Sequence, residues 1–360
     1  MTARRPRVVV THWVHPEVVE YLAGFCHPSL PSRKVGVWSR AQVLDRAADA
    51  EGLITCMADS IDDAFLAGCR RLRVVSATLK GYDNFDAQAC ARRGIWLTVV
   101  PDTIIAPTAE LAVGLVIGIM RRVGEADRQI RDGGFSGWRP QLYGSSLDGA
   151  TVGLVGMGPL GQAVAERLAA FGSRIVYHDL QALPAVVERA LPAASLGLEE
   201  LFAASDVVVV VLPLSERTVG LVDRSTLGLL RPGAFVVNVG RGSVIDEAAV
   251  VEALADGRLG AYAADVFAME DRALQGHPER IPHGLLEHPR TLLTPHLGSA
   301  VDNVRRDMSL EAARQVRQAL DGQRPDHPVN QPKPATARRP GAPPLEIQDA
   351  EGPTVGRPIV

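Results

Sequence analysis

VGLVGMGPLG, residues 152–161, places Gly156, Gly158 and Gly161 in a G-x-G-x-x-G pattern directly after the apolar run Thr151–Val155. A helix-like run, Leu160 to Phe171, follows, and then a second strand-like run, Arg174–Tyr177, which ends near Asp179. Each glycine has a separate physical task in a dinucleotide turn. The first permits the tight turn, the second lets backbone approach a pyrophosphate, and the third lets helix and strand pack closely. The helix start offers free N–H groups and the positive end of a dipole to the phosphates. Asp179 stands 18 residues beyond Gly161. A carboxylate there accepts bonds from ribose hydroxyls and repels a 2′-phosphate, so the expected cofactor is NAD rather than NADP. Strand, turn, helix, strand and acid in register distinguish this from a chance glycine-rich surface turn.

Working outward, five more strand-like runs complete the pattern begun by Thr151–Val155: Arg174–Tyr177, Asp206–Leu212, Ala234–Val239, Ala261–Val266 and Thr291–Thr294. Six strands separated by helical stretches predict a doubly wound α/β domain. The first hundred residues alternate in the same way, with strands expected at Arg7–Thr11, Lys34–Trp38, Gly52–Cys56, Arg73–Ala77 and Ile95–Val99. Helices are expected at Arg40–Ala50 and Asp62–Arg70. No glycine-rich phosphate turn occurs here, which assigns this half to substrate. Ile105 to Arg131 reads as one long amphipathic helix joining the halves, with Pro107, Thr108 and Glu110 at its start. Gly133 to Gly149, containing Trp138 and Tyr143, reads as an ordered arm, against a subunit interface or against a site. Val301 to Leu320 is a helix expected to return to the first domain. The expected division is residues 1–104 with 300–330 for substrate, 105–299 for NAD, and a disordered tail from 331, where seven prolines fall in thirty residues.

Composition narrows the function class. At 360 residues the chain has room for about two domains. A net charge of −3 offers no electrostatic case for nucleic acid or an anionic membrane. Cys26, Cys56, Cys69 and Cys90 lack C-x-x-C spacing, so neither disulfide framework nor metal site is expected. With no signal peptide and no apolar run read as a span, the expected location is cytoplasmic.

Three polar residues fall just past consecutive strand ends: Arg241 in NVGRGSVIDE, Glu270 in DVFAMED and His296 in TPHLGSA. Carboxyl ends of strands in such sheets face one crevice. A histidine there can move a proton, a carboxylate can orient it and favour its charged form, and an arginine fork suits an anionic substrate. The loop SATLKGYDNFD, residues 76–86, lies past a strand end of the first domain and brings Lys80 and Gly81. Met57 lies past another. Arg305, early on the last helix, is within one to two turns of Ser299.

VGMGPLG with Asp179, NVGRGSVIDE, DVF-x-x-E and PHLGSA, in that order, resemble the D-2-hydroxyacid dehydrogenase family over roughly residues 5–330. The resemblance implies catalytic roles for Arg241, Glu270 and His296, a smaller flavodoxin-like substrate domain built from both chain ends, and a homodimer. It also implies a cofactor-contacting set of Thr108, Gly156, Met157, Gly158, Pro159, Leu160, Gly161, Asp179, Leu212, Pro213, Val239, Gly240, Arg241, Asp265, His296 and Ser299. Within the family, LKGYDNFD, VPDTIIAPTAELAVGL, GWRPQLYG and TPHLGSAV with downstream Arg305 are most similar to the phosphonate (phosphite) dehydrogenases. That implies phosphite as substrate, held by Lys80, Gly81, Met57 and Arg305, with water as nucleophile. The alternatives are an ordinary D-2-hydroxyacid or phosphoglycerate dehydrogenase and, from another class, a non-catalytic NADH-binding regulator of the corepressor type.

Overall fold

The structure is a computed structural model that describes residues 4–332, apart from 101, 182, 185 and 188–190. Its two parallel sheets each have their own core. The first has the strands β1 (Arg7–Val10), β2 (His27–Ser29), β3 (Gly52–Thr55), β4 (Val74–Ala77) and β5 (Trp96–Thr98), in the order β2-β1-β3-β4-β5. That is the flavodoxin-like order. The second has β6 (Thr151–Val155), β7 (Arg174–His178), β8 (Ala193–Ser195), β9 (Val207–Val210), β10 (Ala234–Asn238), β11 (Leu259–Ala264) and β12 (Thr291–Leu293). Their order, β12-β11-β10-β9-β6-β7-β8, reverses direction between β6 and β9, and the glycine turn leaves β6 at that switch point.

Burial on both faces explains the unbroken apolar runs. Val207, Val208, Val209 and Val210 are all fully buried, alternately in the two cores that flank the sheet. Each contributes about 1.5–3 kcal/mol on burial, by side-chain transfer. The twelve helices are α1 (Pro16–Ala23), α2 (Arg40–Ala47), α3 (Asp63–Gly68), α4 (Ala87–Arg92), α5 (Ile105–Met120), α6 (Val123–Arg131), α7 (Pro159–Ala169), α8 (Leu198–Ala204), α9 (Arg224–Gly228), α10 (Glu247–Ala255), α11 (His283–Glu287) and α12 (Asp302–Leu320), counted among the described residues. The returning helix, α12, puts Met308, Ala312, Ala313 and Val316 into one core with Val8, Val10, Ile54 and Val74. Arg73 donates to the carbonyls of Ala319 and Leu320 at its end.

Four expectations need correction. Lys34–Trp38 is not a strand. Gly36 has φ +76°, Val35 and Val37 are exposed, and only an isolated bridge from Val37 to His12 remains. The strand is instead His27–Ser29, whose Pro28 lacks an N–H and is tolerated because this is an edge strand. The helix expected over Ile105 to Arg131 is two helices, broken where Arg122 takes left-handed φ +55°. The first of these, α5, is apolar on nearly all sides, not amphipathic. The segment Asp102–Met120 is long and apolar enough to cross a membrane. Here Ala109, Ala112, Leu115, Val116 and Ile119 lie in the core with Val164, Ala165 and Leu168 of α7. Finally, β8 is a seventh strand of the second sheet that sequence reading missed. Gly133 to Gly149 carries no regular element, and Trp138 and Tyr143 stand 86% and 76% exposed. The tail from residue 333 lies outside the described residues.

Candidate active site

The glycine turn meets the requirements of a dinucleotide site. Gly156 has φ +105°, which a side chain strongly disfavours. A Cβ on Gly161 would lie 2.3 Å from the Gly156 carbonyl oxygen, so helix and strand approach too closely for any other residue. A Cβ on Gly158 would meet nothing within 4 Å. That glycine leaves open space over the start of α7, which has Pro159 at its first turn and no side-chain cap. Uncapped helix N–H groups facing open space fit a pyrophosphate. Asp179 accepts from the backbone N–H of Met157 (2.7 Å) and of Gln181 (3.0 Å), which ties the end of β7 to the turn. A carboxylate has about four acceptor positions, so two such bonds leave capacity for ribose hydroxyls.

Past the ends of β10, β11 and β12 the three expected residues come to one crevice. His296 Nδ1 lies 2.6 Å from Glu270 Oε2. Glu270 also accepts from the Phe267 N–H through Oε1 at 2.8 Å, which fixes the carboxylate on its own short turn. The Nδ1 contact leaves Nε2 as the ring nitrogen able to serve a reacting oxygen. His296 has φ +56°, a left-handed backbone that non-glycine residues adopt uncommonly and that recurs at functional sites. Asp265 holds it there. Its buried carboxylate accepts from the Thr294 hydroxyl (2.6 Å) and the N–H groups of Leu297 (2.6 Å) and Gly298 (2.8 Å), while its carbonyl accepts from the His296 N–H at 2.9 Å. Thr108 packs against this loop, its hydroxyl donating to the Ile104 carbonyl at 2.7 Å.

Arg241 follows β10 on a turn braced by Asn238 and Asp271. Asn238 Nδ2 donates to the Arg241 carbonyl at 2.9 Å, and Asn238 Oδ1 accepts from the Gly240 N–H at 3.1 Å. Asp271 Oδ2 accepts from the Ser243 N–H at 2.7 Å. Glu247 accepts from the Ala268 N–H at 2.9 Å, linking the start of α10 to the turn that carries Glu270. Burial pushes the Asp271 carboxyl up, against the opposing Ser243 N–H and Arg241 charge, with Asp83 adding to the rise. Burial likewise raises Glu247. None of Asn238, Glu247 and Asp271 stands out in the sequence, because their partners are backbone groups, on the same turn for Asn238 and on another loop for Glu247 and Asp271.

From the first sheet, the loop after β4 reaches the same crevice. A Cβ on Gly81 would lie 2.0 Å from Arg241 Nη2, so the loop backbone abuts the guanidinium. Asp83, quoted in the loop but given no role from sequence, forms an ion pair with Arg241 at 3.2 Å. Lys80 pairs with Asp102 on the exposed rim. Met57 is half-buried against the core past the end of β3, and its carbonyl accepts from Asn84 at 3.4 Å. Arg305 donates to the Ser299 hydroxyl at 3.2 Å; burial lowers its pKa, and no carboxylate pairs with it among the described residues. Its charge and, above all, burial depress His12 to about 3. Leu212 lies beside Gly156, and its backbone packs against Gly240. Among the described residues no group of three or more His, Cys, Asp or Glu is placed to hold a metal ion.

The family model described as D-isomer specific 2-hydroxyacid dehydrogenase, NAD binding domain, matches residues 113–298. A glyoxylate reductase of Aeropyrum pernix is 36% identical over 349 residues, covering 94% of this chain and 99% of its own. The solved glyoxylate reductase from Paecilomyes thermophila superposes with a TM-score of 0.78 at 26% identity, over 90% of this chain and 98% of that one. The NADPH-dependent glyoxylate/hydroxypyruvate reductase from Sinorhizobium meliloti, solved with NADP and malonate, gives a TM-score of 0.77 at 30% identity, over 90% and 97%.

Proposed function

The chain belongs to the D-isomer specific 2-hydroxyacid dehydrogenase family and uses NAD, and from that premise we propose that it interconverts a small 2-oxoacid of the glyoxylate class and its 2-hydroxyacid. The observation that carries this reading is the 2.6 Å His296–Glu270 pair, past strand ends adjacent to the one that carries Arg241. NAD, when bound, supplies or accepts the hydride. Arg241 and the backbone at Gly81 hold the carboxylate. His296, through Nε2, gives the proton that the carbonyl oxygen gains on reduction and takes it back on oxidation. Glu270 orients the ring and stabilises the imidazolium, and Asp265 keeps the loop that carries it in place. The substrate unit is residues 1–104 with 300–330, and the NAD unit is 105–299. The exposed aromatics of the Gly133–Gly149 arm favour a homodimer in which that arm covers a second copy.

Phosphite is the second reading. One observation favours it: among the described residues no carboxylate pairs with the buried Arg305, which reaches Ser299 on the loop that carries His296, and Lys80 lies beside Gly81, so more positive charge can gather here than one carboxylate needs. In that role Lys80 must leave Asp102. The relatives named above are reductases of glyoxylate, which makes the 2-oxoacid the leading reading.

Both readings are tested by kcat/KM for glyoxylate, hydroxypyruvate and pyruvate with NADH, and for glycolate, D-glycerate, 3-phosphoglycerate and phosphite with NAD. Highest values for glyoxylate or hydroxypyruvate support the proposal. Turnover of phosphite alone replaces it with the second reading, and NADH binding without any turnover would point to a regulator.

A further inference from the structure

The backbone of the Arg241 turn is fixed by its own domain, but its side chain is fixed by the other. Arg241 Nε donates to both oxygens of Asp83, at 3.2 and 3.3 Å, and Nη2 lies 3.2 Å from Oδ1. Nη1 donates to the Gly240 carbonyl at 2.9 Å. An arginine has five N–H donors in a fixed plane. Asp83 therefore takes the Nε N–H and lies along the side edge of the fork within ion-pair distance of Nη2, and one Nη1 N–H goes to Gly240. What remains for an anion lies on the two terminal nitrogens at the end-on edge, one N–H of Nη1 and those of Nη2. Gly81 lets the loop lie against the same guanidinium, since a Cβ there would collide with it. The side chains of Asp83 and Arg241 are 13% and 16% exposed, so the pair is largely withdrawn from water and its geometry is constrained.

We infer that Asp83 is a positioning residue for the substrate anion: it clamps the side edge of Arg241 across the cleft and presents the end-on edge to the substrate. The inference rests on the reading of Arg241 as the anion holder. It also predicts a sign that electrostatics alone would reverse. Removing a negative charge beside an anion site should tighten anion binding by Coulomb attraction. Removing the clamp should weaken binding, because the fork loses its fixed aim.

The test compares wild type, Asp83→Asn, Arg241→Lys and the double variant in glyoxylate reduction with NADH. Oxamate is titrated into each enzyme–NADH complex by nucleotide fluorescence. Melting temperature and NADH affinity serve as controls for folding. For Asp83→Asn the expected result is a glyoxylate KM and oxamate Kd raised about tenfold or more, with NADH affinity unchanged. In the Arg241→Lys background, where no planar fork needs aiming, the same substitution should change KM by less than about twofold. An unchanged or lowered KM in Asp83→Asn, or an equal rise in the lysine background, overturns the inference. A wild type active on phosphite but silent to glyoxylate overturns the 2-oxoacid reading alone, and the KM comparison then decides Asp83 with phosphite and NAD. A wild type that binds no anion overturns both.

Discussion

The glycine turn at 156–161 and the crevice around Arg241 both lie past strand ends, yet they are specified in opposite ways. The turn is local: Gly156, Gly158 and Gly161 act through backbone shape, and their contacts lie within the turn or just past the ends of the flanking strands β7 and β9. The crevice is assembled over distance. Asp83 and Arg241 are 158 residues apart in the chain and belong to different sheets, and Glu270 reaches His296 from another loop. A site written in backbone conformation is read directly from sequence. A site made of side-chain pairs across a cleft is read only as a set of candidates, and its supports stay hidden.

The largest effect should come from the crevice. His296→Ala removes the proton carrier and is expected to lower kcat by about 10²–10⁴-fold, with NADH affinity retained. Steady-state rates and a fluorescence titration check the two parts. If kcat fell by less than tenfold, another group would have to move the proton.

Within the turn, two glycines should fail differently. Gly161→Ala forces a Cβ against the Gly156 carbonyl oxygen, and overpacking of this kind costs about 1–3 kcal/mol, visible as a lower melting temperature. Gly158→Val points into open space, so the fold should keep its melting temperature while NADH affinity falls at least about tenfold. A matched loss of stability in both variants would contradict the separation of packing from binding.

A smaller, pH-dependent effect should trace to His12, buried with neither ring nitrogen partnered among the described residues. Its pKa falls from 6.5 to about 3 on folding. The unfolded chain therefore binds the extra proton first, and the contribution is present above pH 6.5 and lost progressively as pH falls toward 3. Asp59, Asp271 and Glu247 are raised by burial, so their contribution has the opposite sign, present at low pH and lost as pH rises through their folded values. Denaturant melts from pH 4 to 7 should show a shallower slope in His12→Gln than in wild type. An identical slope would remove His12 from the account.

The smallest effect is expected at Asp179. Asp179→Ala should leave NAD turnover within about tenfold and improve NADP relative to NAD, since a carboxylate no longer repels the 2′-phosphate. Competition between the two cofactors in one assay measures it.

What was legible in the sequence follows the same division. Parallel strands buried on both faces announce themselves as runs such as Val207–Val210, and strand ends then locate Arg241, Glu270 and His296 without coordinates. Lys34–Trp38 misled because alternating apolar residues look like a strand whether or not a sheet edge is available, while Pro28 disguised the real one. The break at Arg122 was invisible because nothing in its residue type announces a left-handed backbone. Asn238, Glu247 and Asp271 carried no signal because they hold backbone N–H and C=O groups, which every residue has. Lys80 reads from sequence as part of an anion pocket, and the structure places it on the rim with Asp102.

The most direct test of the central claim is the loss of NADH absorbance on mixing wild-type protein, NADH and glyoxylate, with glycolate quantified in the same sample. Glycolate formed one for one with NADH consumed, and abolished in His296→Ala, is the predicted result. Stable NADH in the presence of glyoxylate, hydroxypyruvate and pyruvate alike would contradict it.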